Sequence, residues 1–111
     1  MHRINMKLEN LRLDLLKALS DETRLRLLEF LRHGNEICVC DIEKVFDKTQ
    51  STLSRHLKTL TQAGIIESRR DGNKKLFKVK DTQIFKLLAV VDSLIKRNER
   101  FKKIVELQQK I

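Results

Sequence analysis

The most restrictive part of this chain is residues 49–64, "TQSTLSRHLKTLTQAG", together with the segments on either side of it. Leu53, Leu57 and Leu60 recur at helical spacing, so the segment is expected to be a helix anchored to a core along one face. Thr49 is its expected N-cap and Gly64 its terminator. At 100° per residue, Ser51, Arg55, Lys58 and Gln62 fall on the opposite face, flanked by Thr52 and Thr59. Immediately before it, "VCDIEKVF" has room for a short helix, and only "DKT" separates the two. Immediately after it, "IIESRR" and "KKLFKVK" flank "DGN", the pattern of a β-hairpin. Two short helices joined by a tight turn and followed by a basic hairpin make a winged helix-turn-helix, with the helix-turn-helix over 39–63 and the wing over 65–80.

The remaining segments fit around that unit. The sequence has no proline, so caps and periodicity carry the reading. Leu8, Leu11, Leu15 and Leu16 predict an amphipathic helix over 8–19. Ser20 followed by "DETRLRLLEFLRHG" predicts a second helix: Ser20 as cap, acids in the first turn, a stripe of Leu27, Leu28 and Leu31, and Gly34 as the stop. A last helix opens at Asp81 or Thr82 and runs over 82–108. At 1.5 Å per residue it would be roughly 40 Å long, more than a core of this size can cover. Ile84, Leu87, Val91, Leu94, Asn98, Phe101 and Val105 keep 3,4 spacing along it, widened by Leu88 and Ile95, which is a heptad seam. The expected architecture is mainly α with a small β-hairpin wing: a single domain over 1–111, dimerised through its terminal helices. Leu8, Leu11, Leu15, Ile84, Leu87, Val91, Leu94, Asn98 and Phe101 are the expected interface, with Asn98 as a register-setting polar contact.

Charge agrees with a polyanionic partner. Lys and Arg outnumber Asp and Glu by 24 to 15, a net +9 per chain, which suits double-stranded DNA, although a lysine-rich solvated surface would have the same composition. Position favours DNA. Gln50, Ser51, Thr52, Ser54, Arg55 and Lys58 offer groove-reading and phosphate-binding groups on one helix. His56, beside the leucine stripe, is either a DNA contact or a packing residue. Arg69, Arg70, Lys74 and Lys75 surround the hairpin tip, where a wing would meet backbone or minor groove. No segment resembles a signal peptide or a membrane span, so the expected location is the cytoplasm, with no membrane partner.

The only two cysteines, Cys38 and Cys40, stand one residue apart in "NEICVCDIEK". They could hold a soft metal ion or metalloid, form a disulfide, or fill space. In a reducing compartment a structural disulfide is not expected. Residues i and i+2 diverge on a helix but point the same way in an extended segment. "EICV" is β-prone, and Cys40 could cap the following helix with Glu43 three residues on, so the pair is expected to straddle a helix start. A helix N-terminus lowers a thiol's pKa and favours the thiolate that soft ions bind.

"ALSDETRLRLLEFL", "EICVCDIEKVF", "QSTLSRHLKTLTQAGII" and "DGNKKLFKV" together resemble the ArsR family of small metal- and metalloid-sensing repressors. The resemblance covers about residues 15–80 by motif. It implies an apo-dimer that occupies an operator and leaves it on binding inducer. The chain also departs from the family. The arsenical sensors with "CVCDLC" have a third cysteine where this chain has Glu43, the related cadmium and lead sensors add N-terminal cysteines that are absent here, and the last helix lacks the histidines of the family's zinc and nickel site. His33 and His2 are weak candidates for a third ligand; a cation at a helix C-terminus is the ordinary role for His33. Trivalent arsenic or antimony is the expected inducer, with another thiophilic metal possible and no constitutive cofactor. The competing readings are a thiol redox sensor of the same fold and a structural or RNA-binding module with inert cysteines. The absence of Trp and Tyr argues against single-strand stacking. An enzyme is not expected, since three glycines offer no phosphate loop and no catalytic pair is evident.

Overall fold

The computed structural model describes the backbone of residues 2–110 and the side chains of residues 7–110. The structure divides into two compact units, one ending at Asp81 and the other beginning at Thr82.

The first unit contains α1 (His2–Leu19), α2 (Glu22–Phe30), β1 (Ile37–Cys38), α3 (Val39–Val45), α4 (Gln50–Gln62), β2 (Ile66–Asp71) and β3 (Lys74–Val79). Its core is the set of leucines the periodicity identifies. Leu27, Leu28 and Leu31 from α2 and its C-cap, and Leu53, Leu57 and Leu60 from α4, are fully buried, joined by Ile42 of α3 and Ile66 of β2. Each such side chain contributes about 1.5–3 kcal/mol through removal from water. α4 therefore lies at the centre of the unit, packing on α1, α2, α3 and β2.

Two boundaries move. α1 begins at His2 rather than at residue 8. The cap of α2 is Asp21, whose carboxylate accepts the Arg24 N–H at 3.0 Å, and not Ser20. Ser20 instead donates its hydroxyl to the Leu16 carbonyl at 2.9 Å, which turns its side chain back onto α1 and away from the start of α2. The backbone N–H of Arg24, the neighbouring Arg24 and His56 side chains and the Thr23 N–H hold the Asp21 carboxyl below the usual range, against an opposing effect of desolvation. By contrast α4 begins and ends where expected: Thr49 Oγ1 accepts from the Thr52 N–H at 3.2 Å, and Gly64 takes φ +78°.

The sheet has strand order β1-β3-β2, all antiparallel. The register pairs Asp71 with Lys74, leaving Gly72 and Asn73 as a two-residue turn. Gly72 has φ +63° and no described non-glycine residue has a positive φ, the pattern of a type II′ hairpin turn. β1 adds an unexpected third strand. It meets β3 through Ile37↔Phe77 and Cys38↔Leu76, so the cysteine segment is stitched to the base of the wing.

The second unit corrects the long C-terminal helix. It consists of α5 (Gln83–Arg97) and α6 (Glu99–Gln109), separated at Asn98, which has φ −80° and ψ 121°. Asn98 ends α5 and caps α6, its side-chain oxygen accepting the Arg100 N–H at 3.0 Å. An asparagine so placed satisfies an otherwise orphaned donor, a role it fills better than a helix-interior position. Asn98 is therefore a cap and not a point on a continuous seam, and Phe101 and Val105 lie beyond the break. Ile84 is already buried in one chain, which leaves Leu87, Val91 and Leu94 as the exposed members of the expected α5 stripe.

Candidate nucleic-acid interface and thiol site

α4 presents its polar face as the leucine spacing requires. Gln50, Ser51, Ser54, Arg55, Lys58 and Gln62 are exposed. Thr52 is half-buried and tied into the cap, its Oγ1 accepting the Thr49 hydroxyl at 3.0 Å. His56 is turned toward α2: its Nδ1 stands 3.1 Å from an Arg24 guanidinium nitrogen and 3.7 Å from Asp21 Oδ2. Of the two roles open to His56, this geometry favours packing. Arg24 also donates from Nε to the Ala18 carbonyl at 2.6 Å and from Nη2 to the Lys17 carbonyl at 3.2 Å. It thus closes the end of α1 and braces α4, a role with no sequence signal because His56 is 32 positions away.

On the wing, Arg70, Lys74 and Lys75 are exposed around the turn. Arg69 is committed elsewhere. Its Nε and Nη2 donate to the two Glu36 oxygens at 2.7 and 2.8 Å, a bidentate pair linking β2 to the residue before β1. The hydrogen bonds from Arg69 hold Glu36 below the usual carboxylate range, and Glu36 raises Arg69 in turn. Lys75 Nζ lies 5.6 Å from the centre of the Phe77 ring.

The cysteines straddle the start of α3 as expected, although the cap falls at Cys38 and not at Cys40. Cys38 is extended at φ −84° and ψ 155°, and Cys40 lies in the first turn. β1 supplies only two residues because Val39 is already helical. The residue three beyond the cap is Asp41, not Glu43, and its Oδ2 stands 3.6 Å from Cys38 Sγ. The structure joins the two sulfurs as a disulfide, contrary to the expectation of a reduced pair. The turn from strand to helix brings the two Cα atoms to 5.3 Å, within the ordinary range for such a bond. Cys38 is 2% exposed, whereas Cys40 is open to solvent. The two sulfurs and an Asp41 oxygen all lie within 4.8 Å of one another, so once the pair is reduced to thiolates one small ion could reach all three. Asp41 was visible in the sequence as Cys-x-x-Asp at capping-box spacing, a signal that the choice of Cys40 as cap obscured. His33 is exposed near Glu29 and outside this group, and the side chain of His2 lies outside the described residues.

The family model for the arsR family of bacterial regulatory proteins matches residues 21–68, from the cap of α2 into the first wing strand. The arsenical resistance operon repressor of Staphylococcus aureus is 34% identical over 86 residues, covering 78% of this chain and 82% of that protein. The chain belongs to the ArsR family. The cadmium resistance transcriptional regulatory protein CadC of Listeria innocua is 39% identical over 72 residues, covering 65% of this chain and 60% of the relative's own length. Among solved structures, the homodimeric winged helix-turn-helix DNA-binding domain of a possible ArsR-family transcriptional regulator from Mycobacterium bovis has a TM-score of 0.74 at 26% identity, over 86% of this chain and 88% of that one. The fold is a winged helix-turn-helix. No described helix is long and apolar enough to cross a membrane.

Proposed function

We propose that the protein is a cytoplasmic, homodimeric transcriptional repressor that holds double-stranded operator DNA through α4 and the wing, and releases it when Cys38 and Cys40 capture arsenite or antimonite. It acts by binding and not by catalysis. The observation that carries this reading is the meeting of both sulfurs at the start of α3, a helix packed directly on α4. The metal and metalloid names of the two relatives support it.

The donor set suits the chemistry. Arsenous acid condenses with two thiols, forming two As–S bonds, releasing two waters and keeping one hydroxyl, so no third cysteine is required. Two thiolates with the Asp41 carboxylate would instead suit a borderline divalent cation. Capture of either should distort the first turn of α3 and with it the seating of α4.

The joined sulfurs favour a second reading, release by oxidation. Two thiols and one peroxide would give the disulfide and two waters, and the exposed Cys40 is open to the oxidant. A release titration on the promoter DNA of its own gene separates the two: arsenite, antimonite, cadmium and zinc are added under a non-thiol reductant, and peroxide is added to pre-reduced protein from which the reductant has been removed. Arsenite release under full reduction supports the first, release by peroxide alone the second, and release by none rejects both.

Two variants test the DNA face. Arg55→Ala should cost about 1–3 kcal/mol of specific affinity while folding normally, since Arg55 is exposed. An unchanged affinity would remove Arg55 from the groove. Glu36→Gln should free Arg69 for a phosphate, tightening binding to all sequences and steepening the slope of log affinity against log salt by about 0.9. Anisotropy across a salt series reads this directly, and an unaltered slope would mean that Arg69 never reaches DNA.

A further inference from the structure

A cleft of about 440 Å³ lies between the polar side of α4 and the wing, lined by Ser54, Lys58, Thr61, Gln62, Lys75, Phe77 and Val39. Its composition is uneven. Two lysines from different elements are exposed at it, two hydroxyls line the α4 side, and its apolar surface comes from the buried Phe77 and the half-buried Val39. Two lysines beside the Ser54 hydroxyl suit a phosphodiester, the Thr61 hydroxyl being already donated to the Leu57 carbonyl at 2.8 Å, and this cleft lies where a strand passing from helix to wing would run.

Val39 is the residue between the two cysteines. Its neighbours carry the sulfurs while its own side chain lines the cleft. A second link runs through the sheet, where Ile37 pairs with Phe77, the other apolar residue of the cleft. Any backbone displacement of Cys38 or Cys40 is passed to Val39, because one peptide bond joins each to it.

We propose that the cleft seats one backbone phosphate of the operator between Lys58 and Lys75, and that Val39 is the moving wall through which inducer capture at Cys38 and Cys40 opens or blocks that seat. This rests on the repressor reading and names how its thiol site reaches DNA. Val39 is a positioning residue: it touches no inducer atom and makes no polar contact with DNA.

The test uses the full chain, a labelled duplex from the promoter of its own gene, and sodium arsenite under a non-thiol reductant. Operator affinity is measured with and without arsenite, and the ratio is the coupling. Wild type should show a ratio of about a hundredfold, the upper part of the usual allosteric range. Val39→Ala, which draws the wall back, should bind DNA more weakly and show a ratio below about threefold, while arsenite still protects both thiols from alkylation. Val39→Leu, which pushes the wall forward, should be weakened before arsenite is added. A wild-type ratio in Val39→Ala, or wild-type affinity in Val39→Leu, overturns the role of Val39. Because both lysines serve one phosphate, Lys58→Gln or Lys75→Gln alone should leave the salt slope nearly unchanged, and the double variant should flatten it by about 0.9. A loss of about 0.9 in each single variant and about 1.8 in the double overturns the shared seat. If arsenite fails to release wild type, the repressor reading itself has failed, an outcome distinct from all of these.

Discussion

Replacing Cys38 and Cys40 together by serine should abolish release of the protein from its operator by arsenite while leaving uninduced affinity within a few-fold of wild type. Neither sulfur is on the polar face of α4, and the substitution suits the local structure. Serine is a preferred N-cap, so at position 38 it should strengthen a cap that the sulfur leaves without a side-chain hydrogen bond. The Asp41 carboxylate, 3.6 Å from the present sulfur, gives the buried hydroxyl a partner. Cys40 is exposed, and a hydroxyl there is solvated at no cost. Each single variant should lose most of the response, because a chelate needs both arms and one thiolate exerts no pull across the helix start. The expected loss is the whole coupling, about 2.7 kcal/mol for a hundredfold effect, and by reciprocity operator DNA should weaken arsenite binding to wild type by the same factor. Electrophoretic or anisotropy titrations decide it. A double-serine variant that still leaves DNA on arsenite addition would show that the sensor lies elsewhere.

The parts of this structure legible in the sequence are those set by local periodicity. α4 could be placed residue by residue because Leu53, Leu57 and Leu60 fix its buried face while Thr49 and Gly64 fix its ends. The wing was legible because a two-residue turn with glycine at its first position constrains both strands. What escaped was long-range or ambiguous. Glu36 and Arg69 lie 33 positions apart, and nothing in either segment announces the other. The brace from Arg24 to His56 is equally silent. The break at Asn98 was hidden for a different reason: a 3,4 pattern of apolar residues reads the same whether the helix beneath it is continuous or restarted, and an asparagine within it suits either a buried polar contact or a cap. At the cysteines, the choice between Cys40 and Cys38 as cap turned on a small shift of register, which strand pairing with β3 decides and local propensity does not.

The other large effect expected is on assembly. Leu87, Val90, Val91, Leu94 and Ile95 of α5 are between 36% and 60% exposed, and helical spacing gathers them on one face of about 140°. A contiguous apolar face of that kind on a soluble chain marks an interaction surface. On the homodimeric repressor reading proposed above, a second copy of this chain is the expected partner. Val91→Glu combined with Leu94→Glu should therefore yield monomers in sedimentation equilibrium. It should do so without unfolding either unit, since Val91 and Leu94 are 44% and 60% exposed in the single chain. A dimer makes engagement of the second half-site intramolecular, so its loss should lower operator affinity by about 10²–10⁴-fold although no DNA contact is touched. Arsenite stoichiometry should stay at one per chain, because Cys38, Cys40 and Asp41 all come from one chain. A variant that stays dimeric would place the interface elsewhere, with the exposed Leu8, Leu11 and Leu16 of α1 as the next surface to test. A monomer that binds full operator as tightly as wild type would show that the two recognition helices are not coupled through this face.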